Sequence, residues 1–148
     1  MKQFLTFAAL PLIASLTLSQ ALAVPAADPV PAYKDVVAEV TADDYRAVGA
    51  PVQGRLETDG QRLIPLKVPA NGNYLVLAAC DDECYDIDLS LFGADGTLLY
   101  RDDYDDDFPV VYGDKLKAGQ TIYAMIRMYD CANEKDGCQY RLGLFAEK

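Results

Sequence analysis

Residues 86–102, DIDLSLFGADGTLLYRD, carry the clearest structural pattern in the chain. Ile87, Leu89 and Leu91 alternate with polar residues, as in a strand that buries one of its two faces. The tetrapeptide GADG that follows is typical of a hairpin connection, and residues 97–102 then predict the returning strand. This stretch therefore favours an antiparallel β fold.

The same alternation of strands and turns runs from residue 51 to the C terminus. Turn-forming sequences such as TDG, PANG and KAGQ separate the segments. About eight short strands are predicted: VQGRLE, QRLIPLKV, NYLVLAAC, DIDLSLF, TLLYRD, PVVYG, TIYAMIRMYDC and QYRLGLFA. Strands at this regular spacing indicate an all-β protein, an antiparallel β-sandwich with jelly-roll or Greek-key connections. We assign the sandwich domain to residues 51–148.

Residues 1–23 have the pattern of a secretory signal peptide. Lys2 precedes an uncharged apolar stretch at 4–18, and the small-residue sequence Ala21-Leu22-Ala23 marks a cleavage site. An N-terminal membrane anchor is the alternative, but Pro11 interrupts the stretch, which is short for a span of about 20 residues. We therefore expect a secreted or periplasmic protein without a membrane span.

Residues 24–50 are interpreted as an N-terminal extension with a short helix. Tyr33, Val36, Val37 and Val40 follow helical spacing, and Thr41 begins a sequence that resembles a capping box. Either one broken helix or a short strand followed by a short helix fits this pattern.

Four cysteines remain in the exported chain, and an even number in an oxidising compartment indicates disulfides. The local pairs Cys80–Cys84 and Cys131–Cys138 are favoured because each encloses a polar loop. Crossed pairing between the two clusters remains an alternative. A four-cysteine zinc site is disfavoured because the C-x3-C and C-x6-C spacings fit zinc ribbons poorly.

The negative charge of the chain is concentrated in one segment. The whole protein has a formal net charge of −10, and residues 81–107 contain eleven acids and a single base, Arg101. The remainder is close to neutral. Phosphate would be repelled by this segment, so nucleic acid is excluded as a partner.

From residue 51 onward the chain resembles the bacterial pre-peptidase C-terminal domain. The resemblance rests on VQGRLETDGQRLIPLKVPANGNYLV, on DIDLSLFGADGTLLYRDD and on AGQTIYAMIRM, with the Asp-Ile-Asp-Leu strand as its sharpest element. It implies a small, non-catalytic, jelly-roll-like sandwich of the kind appended to secreted peptidases, some of which bind calcium or an extracellular polymer such as collagen. Asp86 and Asp88 match the motif, whereas the cysteine pairs are not general in that family, and we expect this chain to stand alone.

The hairpin predicts that two acidic runs meet. With GADG as a four-residue connection, Asp88 is expected opposite Arg101 and Asp86 opposite Asp103, so 81–86 and 102–107 converge. Calcium prefers such oxygen ligands, although the EF-hand pattern fails. The candidate metal ligands are Asp81, Asp86, Asp88, Asp103, Asp105 and Asp107. A solvated acidic loop and a docking patch for a basic partner are the alternatives.

Catalysis is poorly supported by the sequence. The chain has no histidine, and Ser90, the single serine after the signal peptide, has no base beside it. We therefore expect a monomeric, non-catalytic binding module whose partner is an extracellular polymer or an envelope protein. The alternative is a periplasmic interaction or inhibitor protein that uses the acidic patch. Tyr85, Tyr104 and Tyr112 flank the acidic loops and are candidates for exposed contacts.

Overall fold

A computed structural model of the protein describes residues 30–42 and 44–148. The predicted signal peptide and the start of the extension lie outside the described residues. One helix is followed by eight strands: α1 Pro31–Ala42, β1 Tyr45–Leu56, β2 Gln61–Lys67, β3 Gly72–Cys80, β4 Cys84–Phe92, β5 Leu98–Asp102, β6 Val110–Leu116, β7 Thr121–Cys131 and β8 Cys138–Glu147.

The strands form two four-stranded antiparallel sheets, in the orders β1-β8-β3-β6 and β2-β7-β4-β5. These are the strand orders of an eight-stranded jelly roll. The all-β sandwich predicted from the sequence is confirmed, because each predicted strand segment overlaps one observed strand. Consecutive strands mostly lie in opposite sheets, so sequence neighbours are not always neighbours in space.

A continuous apolar core fills the space between the two sheets. Ile87, Leu89 and Leu91 of β4 and Ile122 and Ile126 of β7 all point into it, each with 0 % exposure. Their alternation with polar residues places Asp86, Asp88 and Ser90 on the outer face, as period-2 geometry requires. The predicted burial pattern of these strands is therefore observed.

The N-terminal segment is simpler than the sequence suggested. One unbroken helix spans 31–42, with Pro31 at the first helical position, where its missing N–H has no cost. The Thr41 hydroxyl donates to the Val37 carbonyl in the last turn at 2.7 Å and therefore does not cap a new helix. Strand β1 begins at Tyr45, six residues before the predicted boundary at 51, and pairs with β8.

Helix α1 covers the outer face of the sheet that contains β3 and β8. Val30 and Tyr33 pack with Leu75, Leu77 and Phe145 in a second apolar cluster. A side chain at residue 143 would collide with the Tyr33 ring, so this position is a glycine. The uninterrupted apolar sequence of β3 is thereby explained, because both of its faces are buried. We call this sheet the helix-covered sheet and the other one, β2-β7-β4-β5, the open sheet.

Two disulfides, Cys80–Cys84 and Cys131–Cys138, join the two sheets at one end of the sandwich. The first links β3 to β4 and the second links β7 to β8. Cys84 lies directly opposite Cys131 in the open sheet. The favoured local pairing is the one observed, and its four sulfurs belong to the same end of the fold.

The β4–β5 hairpin differs from its predicted register. Arg101 lies opposite Ser90, and its predicted partner was Asp88. The connection contains five residues between Phe92 and Leu98, Gly96 has a φ of 80°, and a bulge falls between Leu91 and Phe92. The resulting offset is two residues, an even number, so every side chain keeps the face that the alternation predicted.

Candidate functional site

The outer face of the open sheet contains an acidic depression of about 550 Å³. Five carboxylates, one arginine and one tyrosine line it: Asp86, Asp88, Asp103, Asp105, Asp130, Arg127 and Tyr129. We call this the acidic concavity. Four of the six predicted metal ligands, Asp86, Asp88, Asp103 and Asp105, are thus brought together from β4 and from the segment that follows β5.

Asp86 is the most perturbed carboxyl group in the concavity. It lies opposite Asp130 of β7, and like charges in such cross-strand positions repel each other. Partial burial, together with repulsion from Asp88, Asp105, Asp106 and Asp130, raises the pKa of Asp86 to about 6. Its Oδ1 atom is buried and has no hydrogen-bond partner. This oxygen is a strong acceptor that the protein itself leaves unsatisfied.

Asp88 has a positively charged neighbour that the sequence did not predict. It lies opposite Arg127 of β7. Burial raises the pKa of Asp88, although the charge of Arg127 opposes this effect. Arg127 is itself bound to Asp59, with 2.7 Å between Nη2 and Oδ1, and its guanidinium lies 4.8 Å from the centroid of the Tyr129 ring. The charge of Arg127 is therefore shared among several partners.

Arg101 was expected opposite Asp88, and this prediction was wrong. Because of the two-residue offset, Arg101 lies opposite Ser90, and its Nε donates to the Ser90 hydroxyl at 3.3 Å. Its Nη1 approaches the Asp103 carboxylate at 3.6 Å in an exposed ion pair. Asp86 was expected opposite Asp103, and this prediction was also wrong. Asp86 lies opposite Asp130 of β7, and the pairing of β5 with β4 ends at Asp102, before Asp103.

Asp81 and Asp107, the other two predicted ligands, do not line the concavity. The buried Asp81 carboxylate accepts a 2.8 Å hydrogen bond from the Gln139 backbone N–H, which links the Cys80–Cys84 loop to β8. Asp107 contributes its backbone carbonyl, which accepts from the Cys80 N–H at 3.1 Å. Within residues 30–42 and 44–148, no group of three or more acidic, cysteine or histidine side chains has an arrangement that could hold a metal ion.

The acidic run that follows β5 is held in place by its own backbone. The Asp106 carbonyl accepts from Ile87 N–H of the open sheet, and the Pro109 carbonyl accepts from Ala78 N–H of the helix-covered sheet. Asp102 accepts from the backbone N–H groups of Val110 at 2.8 Å and Tyr104 at 3.4 Å. Asp102 is therefore a structural residue that the sequence pattern did not separate from its acidic neighbours.

Three residues of the concavity come from β7 and were missed: Arg127, Tyr129 and Asp130. Ile126 and Met128 of β7 are fully buried in the core, which leaves Arg127 and Tyr129 on the outer face, but no local pattern showed that β7 adjoins β4. The residues that pair between these strands are more than thirty positions apart in sequence, and the jelly-roll topology brings them together. If the eight strands had been assigned the strand order of a jelly roll, β7 would have been placed beside β4 and these three residues would have been predicted at the site.

The part of the chain that the structure describes has no helix of the length and apolar character needed to cross a membrane.

No family model and no curated protein matches the sequence. Among solved structures, the chain is similar to PliG of Aeromonas hydrophila, described as a periplasmic lysozyme inhibitor of g-type lysozyme. The sequence identity is 15 % and the TM-score is 0.47, over 69 % of this chain and 88 % of that chain. A likeness at this level carries no argument about function, and the resemblance to the pre-peptidase C-terminal domain stays a prediction.

Proposed function

We propose that the protein is an exported, non-catalytic binding module that docks a basic protein partner in the acidic concavity. The observation that carries this proposal is the set of five carboxylates around one depression, with the Asp86 Oδ1 buried and unpaired. A lysine or arginine of a partner would pair with the exposed carboxylates Asp103 and Asp105 and would reduce the repulsion that acts on Asp86.

The charges of the concavity favour an incoming cation. Arg127 is engaged by Asp59, and Arg101 is engaged by Ser90 and Asp103. Burial and mutual repulsion raise the pKa values of Asp86 and Asp88, so their ionised forms are destabilised when the site is empty. Complementary charge mainly accelerates association and selects the partner.

Other features support export and a non-catalytic role. Two disulfides are typical of proteins in oxidising compartments. Ser90 is 3 % exposed, and its hydroxyl accepts a hydrogen bond from Arg101, so it is unsuited to act as a nucleophile. The sequence has no histidine, the residue most often used for general acid–base catalysis.

The experiment is a calorimetric titration with purified basic proteins at low and at physiological salt. The triple variant Asp86→Asn, Asp103→Asn, Asp105→Asn is expected to weaken binding at least tenfold and to reduce its salt dependence. The matched control is Asp35→Asn, Asp114→Asn, Asp136→Asn, which changes three exposed aspartates elsewhere and the net charge equally. Equal losses in both triples would mean that only net charge matters and would contradict the proposal.

Two further titrations test specific forms of the partner. A g-type lysozyme, with its lytic activity as the readout, tests the inhibitor form of the proposal. Collagen tests the extracellular polymer that the family resemblance implies. Binding of either one must be lost in the concavity triple variant and retained in the control triple if the concavity is the site.

Calcium is the second candidate occupant of the concavity. It is favoured by the five carboxylates that line one depression, since calcium binds six to eight oxygens at about 2.3–2.6 Å, although these side chains would have to move closer together to coordinate the ion. If calcium binds there, millimolar calcium raises the Tm of the wild type and has no effect on Asp86→Asn, relative to a chelator. An unchanged wild-type Tm would eliminate calcium and leave the protein partner as the occupant.

A further inference from the structure

Exposed apolar side chains are concentrated in one part of the described chain. Nine large apolar residues are exposed in residues 30–42 and 44–148, and six of them fall between positions 98 and 112: Leu98, Leu99, Tyr100, Tyr104, Phe108 and Tyr112. Single exposed apolar residues are ordinary, so those that are also neighbours in space are the ones that mark an interaction surface. This segment also contains the acidic run, so aromatic and acidic groups alternate along it.

Three of these tyrosines line a single cleft of about 430 Å³. Tyr100, Tyr104 and Tyr112 form it together with Arg101, Asp102 and Val110. The cleft lies where β5, the edge of the open sheet, meets β6, the edge of the helix-covered sheet. We call it the tyrosine cleft. It is distinct from the acidic concavity, and the two depressions share none of their lining residues.

The cleft is preformed by contacts within the fold. The Tyr100 and Tyr112 rings meet edge to face, with centroids 5.7 Å apart and an interplanar angle of 80°. The Asp102 carboxylate accepts from Val110 N–H and Tyr104 N–H, which fixes the start of β6 and the loop that carries Tyr104. A ligand would therefore find these tyrosines already positioned, at a small cost in conformational entropy.

The three tyrosines of the cleft favour a cation with a flat, weakly hydrated head. Arg101 also lines the cleft, but its guanidinium is engaged by Ser90 and Asp103. Tyrosine faces attract cations, and the planar guanidinium of arginine stacks on them better than the ammonium of lysine. The open sheet already contains such a pair, in which Arg127 lies over the Tyr129 ring. The strongly acidic segment between β5 and β6 adds a negative field that favours the same ligand.

We infer that the tyrosine cleft holds an arginine side chain of the same basic partner that docks in the acidic concavity. This inference rests on the proposed function. It adds contact with aromatic rings, which electrostatic attraction between charges does not provide. Tyrosine and arginine are the residues that dominate binding energy at protein interfaces. The acidic concavity then sets the association rate and the salt dependence, while the tyrosine cleft sets the dissociation rate and the preference for arginine.

The test compares an oligoarginine and an oligolysine peptide of equal length by surface plasmon resonance. The wild type is expected to bind oligoarginine more tightly. The double variant Tyr100→Ala, Tyr112→Ala should lose about three- to tenfold in affinity for oligoarginine, mostly in the dissociation rate, and should retain its affinity for oligolysine. Tyr100→Phe with Tyr112→Phe keeps the rings and should retain the wild-type preference.

Two controls separate this inference from the proposed function. Leu63→Ala removes an exposed apolar side chain that lines neither the cleft nor the concavity and should change neither peptide's affinity. The concavity triple variant should slow association of both peptides. If the triple variant weakens binding but the tyrosine double variant does not, the inference is overturned and the proposed function stands. If wild type binds neither peptide nor any basic protein, both are overturned. Thermal melts must first show that each variant is folded.

Discussion

The two outer faces of the sandwich differ in their exposure to solvent, although both belong to four-stranded sheets of one jelly roll. The helix-covered sheet is closed by α1, with Val30 and Tyr33 packed on Leu77 and Phe145. The open sheet exposes carboxylates, Arg127 and Tyr129 instead. The difference appears in the strands themselves, because β3 is apolar on both faces while β4 alternates. One face contributes to stability, and the other is available for recognition.

The largest expected effect comes from removing a side chain under the helix. Leu77→Ala should lower the free energy of unfolding by about 2–5 kcal/mol, because Leu77 has 0 % exposure and its loss leaves a cavity beneath α1. The Tm should fall by roughly 8–20 °C. Leu63→Ala, on the open sheet at 56 % exposure, is the control and should change stability by at most about 0.5 kcal/mol. Similar losses in urea melts of both variants would refute the contrast between the faces.

Removing either disulfide should have the next largest effect, because each one ties the covered sheet to the open sheet. The double variants Cys80→Ala, Cys84→Ala and Cys131→Ala, Cys138→Ala should each lose about 2 kcal/mol, as expected for short closed loops. Denaturant melts with and without reductant provide the measurement. Reductant should destabilise the wild type more than either double variant, and an unchanged wild type under reductant would contradict this role.

The acidic face predicts an unusual response to pH. The pKa of Asp86 is about 6 in the folded protein and near 3.8 in the unfolded chain, so between these values the folded state binds more protons. Stability contributed by Asp86 is therefore gained as pH falls from 7 towards 4. Asp86→Asn should raise stability at pH 7 by about 1 kcal/mol after solvent screening and should flatten this part of the pH profile.

The control for this pH effect is Asp95, in the β4–β5 turn. A hydrogen bond from the Thr97 backbone N–H lowers the pKa of the Asp95 carboxyl, so its contribution has the opposite sign. Asp95→Asn should therefore leave the gain between pH 7 and 4 in place. Melting curves between pH 7 and 4 in chelator-containing buffers provide the measurement. An Asp86→Asn variant that is less stable than wild type at pH 7 would show that the carboxylates do not repel each other.

The smallest expected effect concerns the ion pair at the margin of the concavity. Asp59→Asn removes the charge that holds Arg127, but the pair is largely exposed, with 71 % exposure on the aspartate side. Asparagine tolerates the positive φ of 62° at this position, so the backbone is not strained. Stability should change by less than about 0.5 kcal/mol in urea melts. A larger loss would mean that Arg127 is held for structural reasons.

Features that are determined by residues close together in sequence could be predicted, whereas features that depend on the pairing of distant strands could not. Ile87, Leu89 and Leu91 defined β4 because one buried face leaves a period-2 pattern. The same parity placed Asp86 and Asp88 outside, even though the bulge beside Phe92 moved the hairpin register by two residues. Asp130 and Arg127 could not be placed, since their position depends on a pairing of β7 with β4 that no local pattern encodes. The extent of α1 was obscured because Val36, Val37 and Val40 have helical spacing, whereas β-branched residues favour strands.

The acidic run after β5 takes its shape from main-chain hydrogen bonds to both sheets and from the carboxylates of Asp102 and Asp106, while Asp103 and Asp105 contribute charge. Shape and charge can therefore change independently over evolutionary time. Substitutions at Asp103 or Asp105 would therefore change the charge that the concavity offers to the proposed partner while the fold is retained, much as an antibody loop varies on a constant framework.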